Sequence, residues 1–117
     1  MSRPSIKRDK EDTKYHGNLF LERKKALDDL ERTFIVSGNF VEKIFLNLVR
    51  DYKMISDEKL RISKGILVVS LLSIAPVAKT YNYITRYRGY SSDYMRFKSR
   101  AKSGINFAEE ELAKRGY

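Results

Sequence analysis

Three features of this 117-residue chain predict an all-α fold. Apolar side chains recur every three to four residues through most of its length, the period of a helix with one buried face. Residues that cap helices stand just ahead of the apolar stripes. Glycine and proline fall between the stripes, where helices are expected to end. Together they predict a compact bundle of five to six helices over residues 17–117, preceded by a flexible arm over residues 1–16.

The arm mixes Arg3, Lys7, Arg8, Lys10 and Lys14 with Asp9, Glu11 and Asp12 and has almost no apolar content, so nothing in it drives burial. Residues 18–35 follow as an amphipathic helix, capped by Asn18, with Phe20, Leu27, Leu30 and Phe34 inward. Ser37-Gly38 reads as its stop, because glycine takes the left-handed conformation that ends helices. Asn39 followed by Glu42 resembles a capping box for a second helix over 39–54, with Val41, Ile44, Phe45, Leu48, Val49 and Tyr52 as its apolar face. Either of these two helices is a candidate dimer element.

A third helix, capped by Ser56 or Asp57, is expected over 57–75, burying Leu60, Ile66, Leu67, Leu71 and Ile74. The β-branched pair Val68-Val69 leaves a strand at 66–72 as the alternative. Pro76 marks a break before a short fourth helix over 77–88. A turn at 89–91 leads into a fifth helix over 92–102, Gly104 interrupts it, and residues 106–115 form the last, with Phe107, Ala108 and Leu112 inward.

Charge narrows the function. The chain carries 24 Lys and Arg against 15 Asp and Glu, a formal net charge of +9, which favours a polyanionic partner. The absence of cysteine excludes disulfides and thiolate metal sites. The polar N-terminus has no apolar core of a secretory signal, and an intracellular location is expected. The longest near-apolar run, Ile66 to Ala78, falls short of a hydrocarbon core of ~30 Å, so it reads as a buried helix without membrane contact. Catalysis has little to build on. His16 is the lone histidine, Glu109, Glu110 and Glu111 spread around a helix axis, and no phosphate-binding loop or nucleophile elbow is present. No enzyme activity, metal, cofactor or small-molecule substrate is expected.

The positive charge clusters. Between residues 79 and 102 lie Lys79, Arg86, Arg88, Arg96, Lys98, Arg100 and Lys102, opposed by Asp93 and interleaved with Tyr81, Tyr83, Tyr87, Tyr90 and Tyr94. Such groups neutralise phosphates and release counterions, and hydroxyls of Ser91, Ser92 and Ser99 can add phosphate hydrogen bonds. The tyrosines at helical spacing read as core or boundary residues rather than base-stacking platforms.

Residues 66–102 resemble the generic helix-turn-helix of DNA-binding regulators. Thr80, Ile84, Gly89 and Ser91 fall where such domains place a capping hydroxyl, a core aliphatic, a turn glycine and the cap of the recognition helix. The resemblance implies that helix 92–102 enters the major groove and that the protein works as a dimer on paired half-sites. It also asks for Met95 in the core, whereas the local stripe is Tyr94, Phe97 and Ala101. The stripe would turn Arg96 and Arg100 outward, towards bases or phosphates, with Lys98 and Lys102 over flanking phosphates. The expected function is DNA binding, in transcriptional regulation or in partition of a plasmid or viral genome. Double-stranded DNA is the expected ligand, with RNA possible. Two alternatives are a helical protein that coats nucleic acid and an interaction module within a larger assembly, and a minor one is peripheral membrane binding through residues 66–78.

Overall fold

The computed structural model describes the backbone of residues 2–86 and 91–117, and the side chains of residues 21–86 and 91–117. The chain is all-helical there, as expected, but it forms three long helices instead of five to six short ones. These are α1 (Ser2–Asp51), α2 (Asp57–Thr85) and α3 (Ser92–Lys114). The result is elongated, with principal extents of 80 × 20 × 18 Å. At ~1.5 Å per residue α1 alone is about 75 Å long. The segment read as an arm is helical backbone continuous with α1.

The core explains the lengths. Phe34, Val41, Leu48 and Ile55 are buried at intervals of seven residues, and so are Leu60, Leu67 and Ile74. From α3, Tyr94, Phe97, Ala101, Ala108 and Leu112 fill the space between them. A seven-residue repeat on all three helices gives a coiled-coil packing, which favours uninterrupted helices running side by side. The α2–α3 pairing is antiparallel. Arg115, at the end of α3, bonds to Asp57 at the start of α2, and Lys64 bridges to Glu109 (3.2 Å). At the opposite end, the Phe34 ring lies 5.5 Å from Tyr81 and 5.7 Å from Tyr94.

The breaks expected at Gly38 and Gly104 turn out to be packing positions. Gly38 is buried in the middle of α1, where an added Cβ would lie 3.9 Å from Phe97. Gly104 is buried in the middle of α3, where a Cβ would come within 2.6 Å of Leu67 Cδ1. Glycine in a helix interior costs about 1 kcal/mol relative to alanine. Here that cost is offset by the close approach of Phe97 and Leu67, both fully buried. Asn39 and Glu42 therefore lie inside α1 and form no capping box. The break expected at Pro76 is also absent, because this residue stands within α2 on its exposed side. The backbone bond it cannot make faces outward, and Thr80 Oγ1 donates to the Pro76 carbonyl (3.0 Å). Residues 66–72 are helix, which removes the strand alternative.

The expected starts of α2 and α3 are where the caps stand. The Ser56 hydroxyl accepts from the Lys59 amide and the Ser91 hydroxyl from the Tyr94 amide, each at 3.2 Å. The turn residues Gly89 and Tyr90 lie outside the described residues.

One element is less buried than expected. Leu67, Ile74 and Ala78 face inward, but Ile66, Val69 and Leu72 are exposed at 40, 61 and 70%. α2 is long and apolar enough to cross a membrane by length and composition, and 17% of its most apolar window is buried.

Candidate nucleic-acid interface

Burial settles the rotation of α3. Tyr94, Phe97 and Ala101 are buried and Met95 is 47% exposed, so the local stripe, and not Met95, faces the core. The outward side of α3 then presents Ser92, Ser99 and Ser103 in a row, all exposed.

Cations flank this crest on both sides. Arg96 and Arg100 lie on the side facing α1, where both reach Glu42. The Arg96 Nη2 donates to Glu42 Oε2 (2.5 Å), and Arg100 Nη2 is 3.6 Å from Glu42 Oε1. The Arg100 guanidinium also lies 5.8 Å from the Phe45 ring centroid. Lys98 and Lys102 lie on the other side, towards α2, on the edge that also carries Glu109 and its bridge to Lys64. Asp93 is the one carboxylate of α3 before Glu109. The crest and its two flanks run from Ser92 to Ser103, about 18 Å of helix at ~1.5 Å per residue.

The two arginines are held, not loose. One carboxylate shared between two guanidiniums fixes their forks along α1 and leaves them partly exposed, at 55 and 44%. An arginine so engaged can meet a phosphate with its remaining N–H groups, but its paired fork is not free for a base edge. Glu42 was not legible as part of the site. It reads as a cap residue until α1 is known to be continuous.

The other expected site residues are dispersed. Lys79 is exposed on α2, and Arg86 closes α2 as its C-cap in the left-handed region (φ 53°) with an exposed side chain. Arg86 borders a surface hollow shared with Arg23, Asn82 and Tyr83. Ser91 uses its hydroxyl oxygen as the cap of α3. Arg88, Tyr87 and Tyr90 lie outside the described residues. Of the remaining tyrosines, Tyr94 is buried. Tyr81 packs against the core and donates to Glu31 Oε1 (2.6 Å), while Tyr83 is 85% exposed.

A second polar constellation ties the ends of the helices together. Arg115 Nη1 donates to the Ile55 carbonyl (2.6 Å) and to Asp57 Oδ1 (2.8 Å), while Nη2 donates to the Tyr52 carbonyl (2.7 Å). Its Nε donates to Glu111. The guanidinium thus satisfies two carbonyls of the α1–α2 turn as well as two carboxylates. Hydrogen bonds from Arg115 and then Tyr117 hold the Asp57 carboxyl below the ordinary carboxylate range. The bond to Asp57 pushes the Tyr117 phenol above its ordinary value. This cluster latches α3 onto the turn and is structural in character.

Among the described residues no group of three or more acidic or histidine side chains converges as a metal site. Comparison of the chain with family models, with curated proteins and with solved structures finds no match.

Proposed function

We propose that this chain binds nucleic acid through the phosphate backbone, using the outer face of α3, as a helical protein that coats or packages its ligand. Double-stranded DNA is the expected ligand. The observation that carries the reading is the paired arrangement on α3: Arg96 and Arg100 on one side of a serine crest, Lys98 and Lys102 on the other. Cations on both sides of a hydroxyl row suit two lines of phosphate oxygens, and the net charge of +9 supplies attraction at longer range. The engagement of both arginines by Glu42 favours phosphate contact over base reading. Two long antiparallel helices also offer a shallow ridge rather than a short helix thrust from the surface, which fits a coat protein better than a site-specific regulator.

The test is fluorescence anisotropy with two 30-base-pair duplexes of unrelated sequence across a salt series. Both duplexes should bind equally, with log Kd rising as log salt with a slope of about 3 to 4, one unit per phosphate neutralised. The Arg96→Ala/Arg100→Ala variant should lower that slope by about 2. A preference of ~10³-fold for one sequence would return the protein to site-specific regulation. No binding at low salt would assign the basic face to a protein partner.

A further inference from the structure

α2 carries two apolar seams where a surface helix of a monomer needs one. The inward seam is Leu60, Leu67 and Ile74. The outward seam is Ile62, Ile66, Val69, Ser73 and Pro76, spaced alternately four and three residues apart and exposed throughout. No charge interrupts α2 from Gly65 to Ala78. The exposed apolar residues of α1 differ in this respect, since Arg32, Lys43 and Arg50 are interspersed among Ile35, Val36, Phe40, Leu46 and Val49. A helix that is apolar on both sides is ordinarily covered on both.

We propose that the outward seam of α2 docks against the same seam of a second copy of this chain, antiparallel, with Val69 at the two-fold axis. Four-three spacing is the pattern that meshes with another helix. A second copy offers the matching pattern. With Val69 on the axis facing its own copy, Ile62 lies beside Pro76 of the second copy and Ile66 beside its Ser73, so each isoleucine faces a smaller side chain. Charge chooses the direction. Glu58, one turn before Ile62, then lies next to Lys79 of the second copy, twice per dimer. A parallel pair would leave Glu58 and Lys79 at opposite ends of the seam, about 31 Å apart, and make neither contact. The area suits a weak, concentration-dependent dimer. With Val69 on the axis the two copies of α2 overlap over residues 57–81. A strip about 37 Å long and roughly 12 Å wide on each copy gives on the order of 900 Å² in total, just under the ~1,000 Å² of the smallest stable interfaces. Lipid is a poorer occupant. The uncharged stretch is about 21 Å long against a ~30 Å hydrocarbon core, and the inward seam holds α2 to α1 and α3.

The experiment is sedimentation velocity of the full chain over a concentration series, with Val69→Glu, Glu58→Lys, Lys79→Glu and the double variant Glu58→Lys/Lys79→Glu. Wild type should dimerise, and Val69→Glu should raise the dimer Kd by about tenfold or more. Its melting curve measured as a dilute monomer should be unchanged, because Val69 is 61% exposed. Each single charge reversal should weaken the dimer and the double variant should restore it. With no native cysteine in the chain, Val69→Cys should give a disulfide-linked dimer under mild oxidation, whereas Lys24→Cys should not. A monomer at every concentration overturns the proposal, as does a dimer indifferent to Val69→Glu. A monomer that floats with phosphatidylglycerol vesicles, and loses this with Val69→Glu, would assign the seam to a membrane surface.

Discussion

α2 and α3 pack against each other along most of their lengths, yet their sequences divide their surfaces in opposite ways. α3 has one apolar seam, and outside it the exposed large side chains are polar apart from Met95. Its rotation follows from the stripe Tyr94, Phe97 and Ala101, and its outer face reads as a charged surface from the residues alone. α2 is apolar around most of its circumference between Gly65 and Ala78, so the pattern there gives composition without direction. Amphipathic contrast, more than hydrophobicity, is what lets a sequence specify which way a helix faces.

The largest expected effect breaks the inner side of this comparison. Phe97 is fully buried against Gly38 and the aromatic cluster. Phe97→Ala should cost about 3–5 kcal/mol in urea unfolding, close to the whole stability of a small domain. A cost under ~1 kcal/mol would mean that α3 is not seated as described.

Gly104→Val comes next. Its side chain would collide with Leu67, and the loss should be about 1–3 kcal/mol even though valine is the better helix former. Combining it with Leu67→Ala should recover part of the loss, because the two residues compete for the same space.

The latch at Arg115 should show in pH dependence. Asp57 has a lowered folded pKa, so its contribution is present above the unfolded value of 3.8 and is lost as pH falls below it. Tyr117 has a raised folded pKa, so its contribution holds below the unfolded value of 10.0 and fades as pH rises through the higher folded value. The melting temperature of wild type should therefore fall at both extremes. Asp57→Asn should flatten the acid side relative to wild type, and parallel curves would contradict the latch.

The smallest expected effect lies on the outer side of α2. Leu72 is 70% exposed, and Leu72→Ser should change the stability of the dilute monomer by less than ~0.5 kcal/mol. A larger loss would mean that this face is already covered within one chain.

The same contrast explains what was legible in the sequence. The helical class was readable, and so were the caps at Ser56 and Ser91 and nearly all of the inward positions of α3. The number of helices was not. Gly38, Pro76 and Gly104 are local signals for helix ends, and each was overruled by a tertiary contact or by its place on an exposed face. Glycine marks both helix termini and close helix crossings, and the difference depends on a neighbour distant in sequence: Phe97 for Gly38, Leu67 for Gly104. Counting three helices as five or six also hid Glu42, whose role needs α1 and α3 side by side. The cluster of cations at 79–102 was legible as composition. Its division into two flanks of one crest was not, because that depends on which neighbour each flank meets.

The most direct test of the proposed interface is a gain of binding. Glu42→Gln removes the carboxylate that Arg96 and Arg100 share and costs little stability, because exposed ion pairs contribute about 0.2–1 kcal/mol. Duplex affinity at low salt should then rise about threefold or more above wild type, whereas Glu110→Gln, with the same change in net charge at the far end of α3, should have a smaller effect. Equal gains from the two substitutions, or none from Glu42→Gln, would contradict the assignment of the α3 face to the nucleic-acid backbone.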